Sequence, residues 1–261
     1  MIIKKLISSL KHRIQWKRQA SKLATDNFLN QKECLSISPY ERALIVSTHA
    51  DDESIGVFKF LNTADSDVLY MQKYGSNVCQ ENKDIRDNEL LTMSVKLGFR
   101  LINFDSFDSS FMKRISIIFI PCIFDWHDEH IESIQTIIDI IDPNTKIYFY
   151  QETVLLPSEL ITHYSLFSIR EWRYKWKEIK IAYASQKNLP WYRFACAERS
   201  RTKKRVGVET FSLVTLRDVK KMIQFRSNNV ALFHNLKNHL NNLLELQKNS
   251  NSLYSKYKNT K

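Results

Sequence analysis

The sequence predicts an α/β protein with a Rossmann-like, mostly parallel sheet, helices on both faces and a C-terminal helical appendage. Apolar, β-branched runs such as ERALIVST and ISIIFIPCIF are typical of strands that are buried on both faces of a parallel sheet. Helical patterns lie between these runs, so we expect crossover connections from one strand to the next. The chain has 261 residues, of which 43% are hydrophobic, and this is enough for one substantial core.

Five predicted strands alternate with helices through the first part of the chain. In order, they are strand ERALIVST, helix SIGVFKFLNTA, strand DVLYMQK, helix KDIRDNELLTMSVKLG, strand RLINFD, a short helix or turn over 107–114, strand ISIIFIPCIF, helix HDEHIESIQTIIDIID and strand KIYFYQE. Gly98 ends the second helix, and the run Asp142-Pro143-Asn144 ends the last one.

We interpret the chain as one α/β domain, residues 39–216, with a basic amphipathic extension at 1–38 and a C-terminal helix with a polar tail at 217–261. The stretch VALFHNLKNHLNNLLELQ has apolar residues on one helical face, whereas KNSNSLYSKYKNTK is polar enough to predict disorder. Between 163 and 205, interleaved aromatic and basic residues fit core packing, substrate contact or nucleic-acid binding.

The net charge of +11 and the isoelectric point near 9.4 favour acidic partners, namely nucleic acid, an anionic membrane surface or a phosphate-bearing substrate. The N-terminal stretch MIIKKLISSLKHRIQWKRQASK either packs on the domain or lies on an anionic leaflet. No apolar run reaches the roughly 18 to 20 residues of a membrane span. The four cysteines indicate neither a disulfide framework nor a zinc ribbon, so we expect a cytoplasmic protein, at most peripheral at the inner face of the membrane.

Two clusters of histidine and acid follow two of the predicted strands. STHADDES comes after the first strand and FDWHDEHIES after the fourth, and the carboxyl ends of parallel strands lie at one edge of a sheet. His49 and Asp52 are three positions apart, as are His127 and His130, so members of both pairs can face one ion. Hydrolytic zinc sites use three nitrogen or oxygen ligands and keep a position for water, whose proton a carboxylate such as Asp51 removes. The pattern therefore predicts metal-assisted amide hydrolysis.

The segment HADDESIG, followed by RDNE and DWHDEH, resembles the PIG-L/LmbE family of zinc-dependent N-acetylglucosaminyl deacetylases. The resemblance covers residues 42–152, and KIAYASQ and GVETF are weaker matches beyond it. It implies that His49, Asp52 and His130 bind Zn²⁺ or another divalent metal such as Fe²⁺. It also implies that Asp51 is the general base and that His127 stabilises the oxyanion or protonates the leaving amine.

Further residues follow from the same resemblance. Arg86 matches an arginine that contacts the sugar or its attached group, although it could instead pair with Glu89 on an exposed helix face. Asp125 lies in the second loop and is expected to line the substrate pocket. Glu129 stands where the family has an aspartate that orients the neighbouring histidine, and Phe58 occupies a position that is usually small.

The expected activity is removal of the N-acetyl group from an aminosugar, such as a GlcNAc-type glycoconjugate or its precursor, with or without a phosphate or lipid. The changes at Glu129 and Phe58 leave a sugar-binding pseudoenzyme open as an alternative. The basic aromatic segment leaves nucleic-acid binding open, although two histidine and acid clusters at strand ends disfavour it. A homo-oligomer is a further alternative, because the C-terminal helix could pair with a second chain.

Overall fold

The computed structural model describes residues 2–61, 66–74, 78–104, 107–204 and 206–260, with side chains from residue 9 onward. The described residues contain one eight-stranded sheet. Its strands are β1 (Glu33–Cys34), β2 (Ala43–Ser47), β3 (Ser66–Tyr70), β4 (Arg100–Asn103), β5 (Ile117–Pro121), β6 (Lys146–Tyr150), β7 (His163–Phe167) and β8 (Gly207–Val214).

The α-helices surround this sheet. They are α1 (Ile2–Leu23), α2 (Asp52–Gly56), α3 (Phe58–Leu61), α4 (Gln80–Leu97), α5 (Ser109–Met112), α6 (Asp128–Ile137), α7 (Ile169–Ala182), α8 (Trp191–Arg199), α9 (Leu216–Ser227), α10 (Val230–His234) and α11 (Leu243–Lys258). Among the described residues, no helix combines the length and the apolar character that crossing a membrane requires.

The strand order is β1-β7-β8-β6-β5-β2-β3-β4, which confirms the predicted α/β class with a mostly parallel sheet. The strands β2 to β6 are the five that the sequence predicts, and each pairs in parallel with its neighbours among them. The strand β8 is antiparallel to both β6 and β7. The chain leaves β2 toward β3 on one side and later returns to β5 on the other, so the strand order reverses between β2 and β5.

Alternate residues of β2 supply two cores, one on each face of the sheet. Leu44 and Val46 pack in a cluster with α6, α9 and α11. Ala43 and Ile45 pack in a second cluster with α2, α3, α4, α7 and α8. This alternation explains why ERALIVST is apolar at almost every position, since both faces of the strand are covered.

The two ends of the chain pack together on the α/β body. Trp16 of α1 is buried and its indole N–H donates to Asn241 O at 3.0 Å. The predicted disorder of the polar tail is wrong, because α11 continues to Lys258 and buries Leu253 and Tyr257. The predicted helix before it is interrupted, since the side chain of Asn242 caps a new helix start. The predicted domain boundaries remain a prediction.

A buried lysine fastens the short helix α2 to the rest of the fold. Lys175 Nζ is fully buried and donates to Ile55 O at 2.7 Å, to Glu209 Oε1 at 2.7 Å and to Glu198 Oε1 at 2.5 Å. The indole N–H groups of Trp172 and Trp176 complete the network by donating to Glu198 Oε2 at 2.8 and 2.7 Å. One cation from α7 therefore joins α2, α8 and β8.

The end of α2 also requires a glycine. A Cβ atom at Gly56 would overlap the ring of Tyr150 on β6. The Tyr150 hydroxyl donates to Val46 O at 2.7 Å across the sheet, so this ring is held in place. The helix that follows the first motif thus lies directly against the strands.

We predict that Lys175→Met lowers the free energy of unfolding by about 3–5 kcal/mol, because it leaves two carboxylates buried without their cation. Burial already raises the pKa of Glu209 to about 7 with the lysine present. The loss should therefore shrink as the pH is lowered, since protonation removes the unpaired charges. Urea unfolding at several pH values measures it.

The matched control is Lys177→Met, which changes an exposed lysine of the same helix. It should alter the free energy of unfolding by no more than about 0.5 kcal/mol. Equal stability of the two variants would contradict the role of Lys175.

Candidate metal centre

The two predicted clusters meet at the point where the strand order reverses. The first follows β2 and the second follows β5, and these strands are parallel neighbours with Ala43 opposite Ile117. Crevices at such reversals are the usual ligand sites of open parallel sheets. The structure brings together His49 and Asp52 from the first loop and His130 from α6.

Three donor atoms of this group have the spacing of a tetrahedral ligand set. His49 Nδ1 lies 3.3 Å from Asp52 Oδ2 and 3.4 Å from His130 Nε2, and His130 Nε2 lies 3.7 Å from Asp52 Oδ2. Two ligands about 2.1 Å from one tetrahedral ion are about 3.4 Å apart. The group could therefore hold a metal ion, and its nitrogen and oxygen donors suit Zn²⁺ and similar divalent ions.

The charges of the group also fit a cation. Burial opposes a charge on His49, but Asp52 outweighs it and raises the pKa of His49 to about 9. Burial likewise opposes the charge of Asp52, and the neighbouring His49 overcomes it and lowers the pKa of Asp52 to about 2. Without an ion, a proton on His49 supplies the positive charge that the buried carboxylate requires.

Asp51 and Asp52 are both buried, but their carboxylates differ in their hydrogen bonds. Asp52 Oδ2 accepts the backbone N–H of His49 at 2.7 Å. Asp51 occupies the cap position of α2, yet its side chain accepts no capping hydrogen bond. Burial, and then the charge of Asp52, raise the pKa of Asp51 well above its usual range, although His49 and Arg86 oppose them. Asp51 therefore has the properties of a group that can take up a proton.

Glu53 is a buried acid to which sequence reasoning gave no role. Its carboxylate accepts hydrogen bonds from Ser47 Oγ at 2.9 Å, Ser54 Oγ at 2.6 Å and the Tyr183 hydroxyl at 2.5 Å. Tyr183 belongs to the KIAYASQ segment, so the weaker motif has a structural function. Glu53 ties the loop after β2 to the end of α7.

Glu152 is a second acid that sequence reasoning missed. It follows β6, is buried, and places Oε2 at 2.9 Å from His130 Nε2. Neither of its oxygens accepts a well-formed hydrogen bond from a described residue, and the nearby Tyr150 hydroxyl donates to Val46 O instead. Burial, together with Asp52, raises the pKa of Glu152 well above its usual range. Asp125, His130 and Glu152 form a second group that could hold a metal ion.

His127 faces the same space from the start of α6. Its ring centre lies 4.8 Å from that of His130 and 5.6 Å from that of His49. Burial lowers the pKa of His127 to about 4 despite the charge of Asp125, so the imidazole is neutral at neutral pH. Glu129 Oε2 is 3.7 Å from His127 Nδ1, which is too far for a direct hydrogen bond.

Asp125 and Arg86 each lie near a different residue of this site, Asp125 near His130 and Arg86 near Asp51. Asp125 is buried, and its carboxylate accepts the backbone N–H of His127 at 3.1 Å and the Thr153 hydroxyl at 2.6 Å, which organises the loop. Arg86 on α4 is close enough to Asp51 to act on its pKa. The alternative pairing with Glu89 is not seen among the described residues, because Glu89 accepts the N–H and hydroxyl of Ser185.

A scan against protein-family models finds no match for this chain, and a search of curated proteins finds none. Several solved structures resemble it, including a hydratase and a deacetylase. One is GalB, the 4-carboxy-2-hydroxymuconate hydratase from Pseudomonas putida KT2440, with 13% identity over 67% of this chain and 96% of that chain and a TM-score of 0.46. The other is Dbv21, the A40926 pseudoaglycone deacetylase, with 13% identity over 68% of this chain and 98% of that chain and a TM-score of 0.46. Similarity at this level assigns no function.

Proposed function

We propose that this protein is a metal-dependent deacetylase of the PIG-L/LmbE type, which hydrolyses the N-acetyl group of an aminosugar. The observation that carries the proposal is the set of three donor atoms separated by 3.3, 3.4 and 3.7 Å beside the buried acid Asp51. The motifs HADDE and DWHDEH that resemble the family are the ones that supply these residues. We propose Zn²⁺ as the ion, with Fe²⁺ as a substitute.

Hydrolysis of an amide adds water to the carbonyl carbon and passes a proton to nitrogen as the carbon–nitrogen bond breaks. In the proposal, His49, Asp52 and His130 hold the ion, with Glu152 beside them. When bound, the ion would polarise the carbonyl and lower the pKa of a bound water. The remaining tasks are proton transfer, stabilisation of the oxyanion and orientation of the substrate.

Of the three consecutive acids of the first motif, Asp51 is the one that remains available for proton transfer. The two neighbouring carboxylates already accept hydrogen bonds. Asp52 accepts the backbone N–H of His49, and Glu53 accepts three hydroxyl groups. We propose that Asp51 accepts the proton of the attacking water and returns it to the leaving amine. Arg86 acts on Asp51 from α4 and would contact the sugar or its attached group.

His127 is better suited to stabilise charge than to deliver a proton. A neutral imidazole can donate one N–H to a developing oxyanion, whereas a group with a pKa of about 4 is seldom protonated at neutral pH. The changes at Glu129 and Phe58, which suggested a pseudoenzyme, remove none of the three proposed metal ligands. Phe58 is buried and packs near Phe167, with ring centres 6.4 Å apart, so its bulk lies within the core.

We predict that Asp51→Asn lowers acetate release from an N-acetylated aminosugar by about 10²–10⁴-fold, the usual contribution of a positioned acid or base. Metal content should stay unchanged, because this residue is not one of the proposed ligands. Purified protein, loaded with zinc or chelated, is assayed for acetate against a panel of such sugars. Asp139→Asn, an exposed aspartate paired with Lys220, is the control and should retain activity.

Full activity of Asp51→Asn would exclude the proposed base. A protein that binds the metal and releases no acetate from any sugar of the panel would contradict the deacetylase and favour the pseudoenzyme.

We predict that metal affinity falls about tenfold for each unit by which the pH is lowered below about 9, since His49 must lose its proton to bind the ion. His49→Ala should weaken binding by more than about 100-fold, which exceeds the usual effect of an outer-shell residue. Competition with a chromophoric chelator measures both effects.

His163→Ala is the matched control, because His163 lies on β7 beside Glu33. An affinity that does not depend on pH, or equal loss in the two variants, would show that His49 is not a ligand.

A further inference from the structure

The groove between α1 and the turn that joins α7 to α8 is lined by cations and by no acid. It encloses about 700 Å³. Its lining includes Arg13 and His12 from α1, Lys180 near the end of α7 and Lys187 in the turn, and neither aspartate nor glutamate is among the lining residues. The field in the groove therefore favours an anion.

The cations of this region whose side chains the structure describes form no ion pair with an acid. They are Lys11, Arg13, Lys17, Arg18 and Lys22 of α1 and the two lysines of the groove. Burial, and then the nearby charge of Arg13, lower the pKa of Lys180. His12 Nδ1 is buried, and no described residue forms a hydrogen bond with it. An anion bound here would reduce the repulsion between Lys180 and Arg13, and it could form a hydrogen bond with His12 Nδ1.

The outward face of α1 is apolar in its centre and basic on both sides. Leu10 is 59% exposed and Ile14 is 46% exposed. At 100° per residue these two side chains share one face, which Lys17 flanks on one side and Arg18 on the other. In the sequence the same spacing continues to Ile3 and Ile7, whose side chains lie outside the described residues.

The opposite face of α1 fixes the helix to the body. Trp16 and Ala20 are buried in a cluster with residues of α8 and α11. The helix therefore holds its apolar residues outward in a fixed orientation, with positive charges beside them. Helices that lie in the headgroup region of an anionic bilayer have this arrangement.

We propose that α1 binds the surface of an anionic membrane, with Leu10 and Ile14 entering the headgroup region and the flanking Lys17 and Arg18 holding lipid phosphates. The basic groove beside α1 adds to the positive field that attracts the membrane. Binding of a nucleic acid or a soluble phosphate would leave the side chains of Leu10 and Ile14 exposed to water, whereas a membrane would cover them. The indoles that line the groove also disfavour nucleic acid, because Trp16 and Trp191 are buried and cannot stack on bases. This inference does not depend on the proposed deacetylase activity.

Sedimentation with vesicles of phosphatidylcholine, with and without phosphatidic acid, tests the proposal on the full chain. Wild-type protein should bind the anionic vesicles only, with affinity that falls as salt is raised. Lys17→Gln with Arg18→Gln, both at exposed positions of α1, should weaken binding by about fivefold for each cation removed. Leu10→Ser with Ile14→Ser should weaken it by at least about tenfold, since the apolar contact is lost.

The matched control is Arg217→Gln with Lys221→Gln, which removes the same charge from exposed positions of α9. It should bind as the wild type does. Absence of binding to anionic vesicles, or equal loss in the control, would overturn the proposal. Displacement by soluble glycerol phosphate, with the serine variant binding as the wild type, would identify a site for free phosphate and overturn it as well.

Discussion

The burial of carboxylates at the carboxyl edge of the sheet is the constraint on which the rest of this structure depends. Asp51, Asp52, Glu53, Asp125 and Glu152 are all buried there, and like charges in a low dielectric repel one another strongly. Hydroxyl groups satisfy Glu53, and backbone N–H groups help satisfy Asp52 and Asp125. Among the described residues, Asp51 accepts no capping hydrogen bond and the oxygens of Glu152 accept no well-formed one. A bound cation would resolve this imbalance, and the donor spacing is suited to one.

The fold holds this unfavourable set of charges through contacts made by the second half of the chain. Lys175 fixes the backbone of α2 at Ile55, and Tyr183 fixes Glu53, so α7 supports both ends of the helix that carries the acids. The absence of a side chain at Gly56 lets the same helix lie against Tyr150. The stability of the body and the geometry of the site are therefore linked through a few buried polar contacts.

The sequence predicted the parallel sheet and the two motif loops because periodicity and short spacing are local signals. It could not predict that β8 inserts between β6 and β7, since strand order depends on long-range pairing. Glu152 was missed because a lone acid after a strand has no distinctive spacing, and only its place opposite His130 makes it notable. The tail was expected to be disordered from its polar composition, yet burial of Leu253 and Tyr257 by tertiary contacts makes it helical.

The most direct test of the central claim is a crystal structure of the zinc-soaked protein, with diffraction data collected on both sides of the zinc absorption edge. The account predicts one anomalous peak between His49 Nδ1, Asp52 Oδ2 and His130 Nε2, about 2.1 Å from each. A peak among Asp125, His130 and Glu152 alone would move the site to the second group of donors. No peak at this edge of the sheet would contradict the metal centre itself.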